Sequence, residues 1–298
     1  MSERVPPHTE PDYEPAYPVP PEPRFLPGTT IEIVRAIVLP GPPRHVLFDF
    51  DGTLSLIREG WPEIMVPMMV EELLATGTSE TAAELERYCR EFVMRLNGKQ
   101  TIYQMIRLAE EVERRGGRPR DPVEYKREYH RRLLERIDSR RRGLREGRIP
   151  PEDLLVPYSY EILQALQERG CLLYLASGTD EVYVREEAAL LRIDRFFEGR
   201  IFGAVDAYQT FSKAAVIERI LWTHAVGGNS LVGFGDGYVE IQNVKEAGGV
   251  AVAVASDERG RSGRPDPWKR ERLIGAGADL VVPDYRDWSR LLAILHLP

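Results

Sequence analysis

Three carboxylates, a hydroxyl and a lysine stand in this chain directly behind short apolar runs. Asp49 and Asp51 close the run His45-Val-Leu-Phe-Asp-Phe50, which stops at a turn, Asp51-Gly-Thr53. Ser177 follows Leu172-Leu-Tyr-Leu-Ala176, Lys213 lies in the loop after 200–205, and Gly235-Asp236-Gly237 follows 230–234. Apolar runs of this length between helical stretches read as buried parallel strands. In a parallel α/β sheet, ligands bind beyond the carboxyl ends of the strands. Carboxylates, a hydroxyl and a lysine gathered there suit phosphoryl transfer, in which catalysis is mostly positioning and charge neutralisation.

The positioning elements follow from the same pattern. After Pro150-Pro151 the chain alternates: helix 158–169, strand 171–176, helix 181–192, strand 200–205, helix 213–220, strand 230–234, helix 238–247, strand 250–255, strand 279–282 and helix 288–295. Such alternation implies an α/β fold with a doubly wound parallel sheet covered by helices. Between the first strand and the rest, residues 61–149 are rich in Glu, Arg, Leu and Ala, with apolar residues three and four apart and a break at Gly116-Gly117. This block reads as an inserted α-helical domain. The expected division is 44–57 with 156–298 for the core and 58–155 for the insert. Residues 1–43 form a Pro-rich extension, extended or disordered to about Pro27, with a strand near 30–39 that Pro40-Gly-Pro-Pro43 ends.

Four stretches in order resemble the motifs of the haloacid dehalogenase superfamily. Asp49-Phe-Asp51-Gly-Thr53-Leu is similar to its first motif, Ser177 behind an apolar strand to its second, Lys213 in Phe-Ser-Lys to its third, and Gly235-Asp236-Gly-Tyr-Val-Glu240 to its fourth. The resemblance covers about 44–298. It implies that Asp49 is a nucleophile forming an aspartyl phosphate and that Asp51 is the general acid and base. It further implies that Ser177, Gly178, Thr179, Thr53 and Lys213 surround the phosphate, and that Mg²⁺ is the cofactor, met by Asp49, the Asp51 carbonyl and Asp236. The second acidic position of the fourth motif is Glu240 instead of Asp, which leaves its metal role open. Without the motifs, Ser177 would be a helix N-cap and Glu240 a solvent-facing helix residue.

Asp51 argues against a dehalogenase, because halide departure needs no proton. A phosphonatase would need a desolvated lysine in the insert, and Lys99 sits in Asn97-Gly-Lys-Gln-Thr101, which reads as a polar loop. The position of the helical block resembles the C1 cap of phosphoglycolate phosphatase and β-phosphoglucomutase, a lid over small substrates. Arg58, Trp61, Lys99, Gln100 and Thr101 are the residues expected to meet the leaving group. The expected activity is hydrolysis of a small phosphate ester; a sugar-phosphate mutase and a non-catalytic binding protein are the alternatives.

Composition narrows the partners. Net charge is −7, from 40 Lys+Arg against 47 Asp+Glu, which disfavours nucleic acid. The basic run 126–148 is interleaved with Glu128, Glu135, Asp138 and Glu146 and reads as a solvated helix face. The two cysteines, Cys89 and Cys171, form no framework or metal motif, and no apolar stretch approaches the roughly 20 residues that span a bilayer. A cytoplasmic protein is expected; oligomeric state is not legible.

Overall fold

The computed structural model describes residues 12–205 and 207–297. The chain runs through β1 (Glu32–Ile33), β2 (His45–Phe48), α1 (Pro62–Leu74), α2 (Ala82–Arg95), α3 (Thr101–Arg114), α4 (Pro122–Arg145) and α5 (Ser159–Glu168). It continues with β3 (Leu172–Asp180), α6 (Glu181–Leu190), α7 (Asp194–Phe197), β4 (Ile201–Ala204), α8 (Lys213–His224) and β5 (Leu231–Gly235). The last elements are α9 (Tyr238–Glu246), β6 (Val250–Val254), α10 (Pro267–Ala276), β7 (Leu280–Val282) and α11 (Trp288–Ile294).

The seven strands form one sheet in the order β1-β7-β6-β5-β2-β3-β4. All neighbours are parallel except β1 on β7. The order reverses at β2, which lies between β5 and β3, so the crevice of this doubly wound sheet opens at the carboxyl ends of those strands. Alternation along β2 feeds two apolar layers: Val46 and Phe48 pack on one face, Leu47 on the other with Ile217 and Ile241. Phe48 stacks on Phe234 of β5 at 4.6 Å, 9° from parallel, which locks the two site-bearing strands together.

Strand β3 runs four residues past the expected Ala176, because it continues through a register shift into Asp180 opposite Ala204. Ser177 is therefore inside the strand. Helix α6 starts at Glu181 with Asp180 as its N-cap, so the N-cap reading of Ser177 does not hold. The expected strand near 30–39 shrinks to two residues. The N–H groups of Val34 and Arg35 both donate to the Asp279 carbonyl, which ends the ladder. Helix α10 was not legible as an element; it begins at Pro267 with the Asp266 carboxylate accepting from the Lys269 N–H.

The helical block resolves into four helices packed on one another. The breaks fall at Gly77, at Asn97-Gly98 and at Gly116-Gly117. Thr81 and Glu84 form a reciprocal capping box that starts α2. The basic run on α4 is only partly a solvated face. Arg131 pairs with Glu128 and Glu135 and Arg142 with Asp138 on its own surface, but Lys126 is buried against Asp180 at 2.5 Å. Arg141 reaches Glu186 on α6, and Arg140 donates to the Ile57 carbonyl at 2.7 Å. These side chains fasten the inserted helices to the core.

Residues 12–27 lie on the core, contrary to a free tail. Tyr13 meets Tyr238 edge-on at 5.4 Å, and the N–H groups of Ala16 and Tyr17 donate to the Gly275 carbonyl. Residues 1–11 are outside the described part. Among the described residues no helix is long and apolar enough to cross a membrane.

Candidate active site

Asp49 directly follows β2, and its carboxylate meets Lys213, the first residue of α8, at 2.9 Å between Oδ1 and Nζ. Both are buried, Lys213 to 2% exposure, so the pair is poorly screened and the lysine keeps an anion beside the strand ends. The turn after Asp49 is tight: Gly52 has φ +71, and a Cβ there would fall 2.2 Å from Asp236 Oδ2. Only glycine fits, and that close approach brings the ends of β2 and β5 together. The Asp236 N–H donates to Thr53 Oγ1 at 3.0 Å across the same gap.

Asp51 points into the cleft beside Asp49. Thr179 Oγ1 donates to its Oδ2 at 2.8 Å, and the Arg58 guanidinium stands 3.8 Å from Oδ1. Burial pushes the Asp51 carboxyl up to about 7, against the pull of Arg58 and the Thr179 hydrogen bond. A carboxyl in that range suits a group that both gives and takes protons near neutrality. Arg58 itself is held by Glu187 of α6, which is fully buried, through Nε–Oε2 at 3.0 Å and Nη2–Oε1 at 2.9 Å. Burial works against the Arg58 charge, but Glu187 and Asp51 more than offset it and hold its pKa above the ordinary value.

A cavity of about 80 Å³ opens here, lined by Asp49, Asp51, Arg58, Trp61, Lys99, Thr101, Ser177, Gly178, Thr179, Lys213 and Asp236 among others. Eleven expected residues thus meet in one place. Three do not line it. Thr53 is buried beneath the turn and acts through its bond to Asp236. Gln100 turns its amide to the carbonyl of Phe211 at 2.8 Å, so it ties the inserted helices to the core instead of facing a leaving group. Glu240 is neither solvent-facing nor in the lining: it is 1% exposed, with its carboxylate against the Lys213 ammonium. Glu240 thereby holds the lysine.

Lys99 is also not the solvated loop residue its neighbours suggest. It is 9% exposed, lines the cavity and bonds to Asp12 at 2.6 Å, a partner from the N-terminal extension. The loop carrying it is pressed onto the core backbone. A Cβ at Gly178 would lie 2.8 Å from the Lys99 carbonyl, and one at Gly237 would lie 2.7 Å from the Gly98 Cα. Gly178→Ala is therefore expected to hold this loop off the core and lower kcat/KM by the order of 10²-fold with the fold intact. Steady-state kinetics alongside a thermal melt check it; unchanged kcat/KM would mean that this closure plays no part in turnover.

Tyr129, Glu59, Met65, Ser55, Gln104 and Glu258 also line the wall, and none of them is legible as a site residue. Glu258 and Asp236 share the buried ammonium of Lys269, at 2.6 and 2.8 Å. Burial, with Asp49 adding repulsion, raises the Asp236 pKa; Lys269 opposes both. Crowded, desolvated oxygens of Asp49 and Asp236 are the hard donor set that Mg²⁺ takes. Among the described residues no three acidic, His or Cys side chains are gathered as a metal group. A set of two carboxylates and the Asp51 carbonyl is consistent with that, and the residues present fit the ion.

No relative was found among curated protein sequences. The solved structures that share the fold include β-phosphoglucomutase from Clostridium difficile, with 14% identity, TM-score 0.57, and coverage of 85% of this chain and 97% of that one. A predicted phosphatase from Clostridium acetobutylicum gives 14% identity, TM-score 0.55, and 85% and 99% coverage. A predicted phosphoglycolate phosphatase from Haemophilus somnus 129pt gives 16% identity, TM-score 0.52, and 83% and 97% coverage. At these identities the likeness is one of fold. The model of haloacid dehalogenase-like hydrolases matches residues 43–248, a span that holds Asp49, Asp51, Ser177, Lys213 and Asp236. With those five side chains gathered at the switch point of the sheet, the chain belongs to the haloacid dehalogenase-like hydrolase family.

Proposed function

We propose that this hydrolase is a Mg²⁺-dependent phosphomonoesterase acting on a small phosphorylated metabolite, such as a sugar phosphate or a phosphoglycolate-like compound. The observation that carries the reading is the pairing of two aspartates in one cleft. Asp49 is bonded to the buried ammonium of Lys213 at 2.9 Å, and two residues on the carboxyl of Asp51 is pushed up to about 7 by burial. In this reading an Asp49 oxygen attacks phosphorus while Asp51 gives its proton to the departing oxygen. Asp51 then takes a proton from water, which attacks the aspartyl phosphate, releases phosphate and restores Asp49. Lys213, the Ser177 hydroxyl and the amides around Gly178 would hold the phosphate oxygens. Bound Mg²⁺, held by Asp49, Asp236 and the Asp51 carbonyl, would neutralise charge between the anionic nucleophile and the anionic ester.

Small size of the leaving group is supported by the 80 Å³ cavity and by the loop at 97–101 closed on Gly178 and Gly237. We take 58–155 as the cap and 44–57 with 156–298 as the core; α1–α4 fall within the former. A reducing cytoplasm is supported by two buried free thiols, with Cys89 pushed up to about 12 by burial. Phosphate release from a panel of sugar phosphates, phosphoglycolate, nucleotides and p-nitrophenyl phosphate, with and without Mg²⁺, tests the reading. Release that requires Mg²⁺ is expected. If a compound is instead converted to a phosphorylated isomer, the protein is a mutase; if nothing reacts, the phosphomonoesterase reading is abandoned.

A further inference from the structure

Residues 255–269 lie beyond the span matched by the family, and they bring a second lysine to the site. Lys269 stands in the first turn of α10 with its ammonium buried. It donates to Glu258 Oε1 at 2.6 Å, to Asp236 Oδ2 at 2.8 Å and to Ser256 Oγ at 3.0 Å. Three donors meet three acceptors, so the ammonium is fully satisfied. Ser256 Oγ in turn donates to the Gly52 carbonyl at 2.6 Å, which links the lysine to the turn that carries Asp51.

We propose that Lys269 is a positioning residue that fixes Asp236 and, through its charge, weakens divalent-cation binding there, so that the ion exchanges instead of being trapped under the cap. The inference rests on the reading that Asp236 receives a cation. Two effects compete. Losing a partner of a metal ligand typically costs 10- to 100-fold in affinity. Against that, a full positive charge in contact with a ligand carboxylate, in a buried and poorly screened place, opposes a dication strongly. Lys269 is in direct contact with Asp236 Oδ2, on the carboxylate that would receive the ion, and both groups are largely buried, so the charge effect is the larger.

Calorimetric titration of the full chain with MgCl₂ tests this without reference to turnover. Lys269→Gln and Lys269→Met are expected to bind Mg²⁺ about 10-fold more tightly or better, whereas Lys269→Arg, which keeps the charge, stays near the native value. In metal-free buffer the Gln and Met variants should melt lower, and saturating Mg²⁺ should close that gap. Unchanged or weaker binding by both neutral variants would overturn the proposal, as would a tighter-binding Arg variant. Should the neutral variants fold only with metal, the rate of Mg²⁺ release to a chelator replaces the titration. Slower release than native supports the inference, and equal or faster release overturns it. The underlying reading is checked separately: if the native chain takes up no Mg²⁺, or Asp236→Asn binds it equally well, the metal site fails and this inference with it. Native binding lost in Asp236→Asn, with no gain in the Lys269 variants, removes this inference alone.

Discussion

Asp49→Asn is expected to abolish phosphate release, with kcat falling by about 10⁴-fold or more while the protein stays folded. The amide keeps the shape of the carboxylate but is no nucleophile, and the reaction has no second group in the right place. Asp51, the other carboxyl in reach, is engaged by Thr179 and Arg58 and pushed towards its neutral form. The fold should tolerate the change because Lys213 keeps its other anion, Glu240. A melt within a few degrees of native, together with initial rates on the best substrate at saturating Mg²⁺, checks both halves. Residual activity above about a hundredth of native would remove Asp49 from the role of nucleophile.

The largest effect on stability is expected from Arg58→Ala. Glu187 has no exposure at all, and its carboxylate is met by two guanidinium nitrogens of Arg58. Truncating the arginine leaves that charge buried without its partner, a situation that costs about 3–5 kcal/mol. For a chain of this size the melting temperature should drop by roughly 10 °C. The double variant Arg58→Met/Glu187→Leu should recover most of the loss, since replacing both members of a buried pair by apolar groups is often close to neutral. A single variant that melts within 2 °C or so of native would show that water or another cation replaces the guanidinium. Activity should suffer in both variants, because Arg58 also faces Asp51.

Much of the site was readable because its residues occupy positions that a parallel sheet forces together. Asp49, Ser177 and Asp236 follow short apolar runs, and Lys213 opens a helix after another; once the strands are laid side by side, the side chains must converge. The parts that were not readable depend on partners brought from afar. Glu187 looks like any acidic residue in a surface helix until Arg58, 129 positions earlier, is found against it. Lys269 and Glu258 lie in a charged stretch with no apolar period, so neither helix α10 nor its inward-facing lysine is signalled. Lys99 is hidden by the protein's own N-terminal extension, whose composition gave no hint that it docks. Side-chain direction was the other weak point: Gln100 and Thr53 are in the expected neighbourhood, but their bonds point to the framework.

The two-residue strand β1 has a consequence for how the protein behaves at high concentration. It covers the rim of β7, whose three residues are all buried, and Glu32 on it is clamped by Arg270. An uncovered rim of this kind offers unpaired backbone groups to any passing strand, including that of another copy. A version of the chain trimmed to residue 44 would keep every residue of the four motifs and still expose that rim. It is expected to scatter light and precipitate at lower concentration than the longer chain, because β1 is what covers that rim.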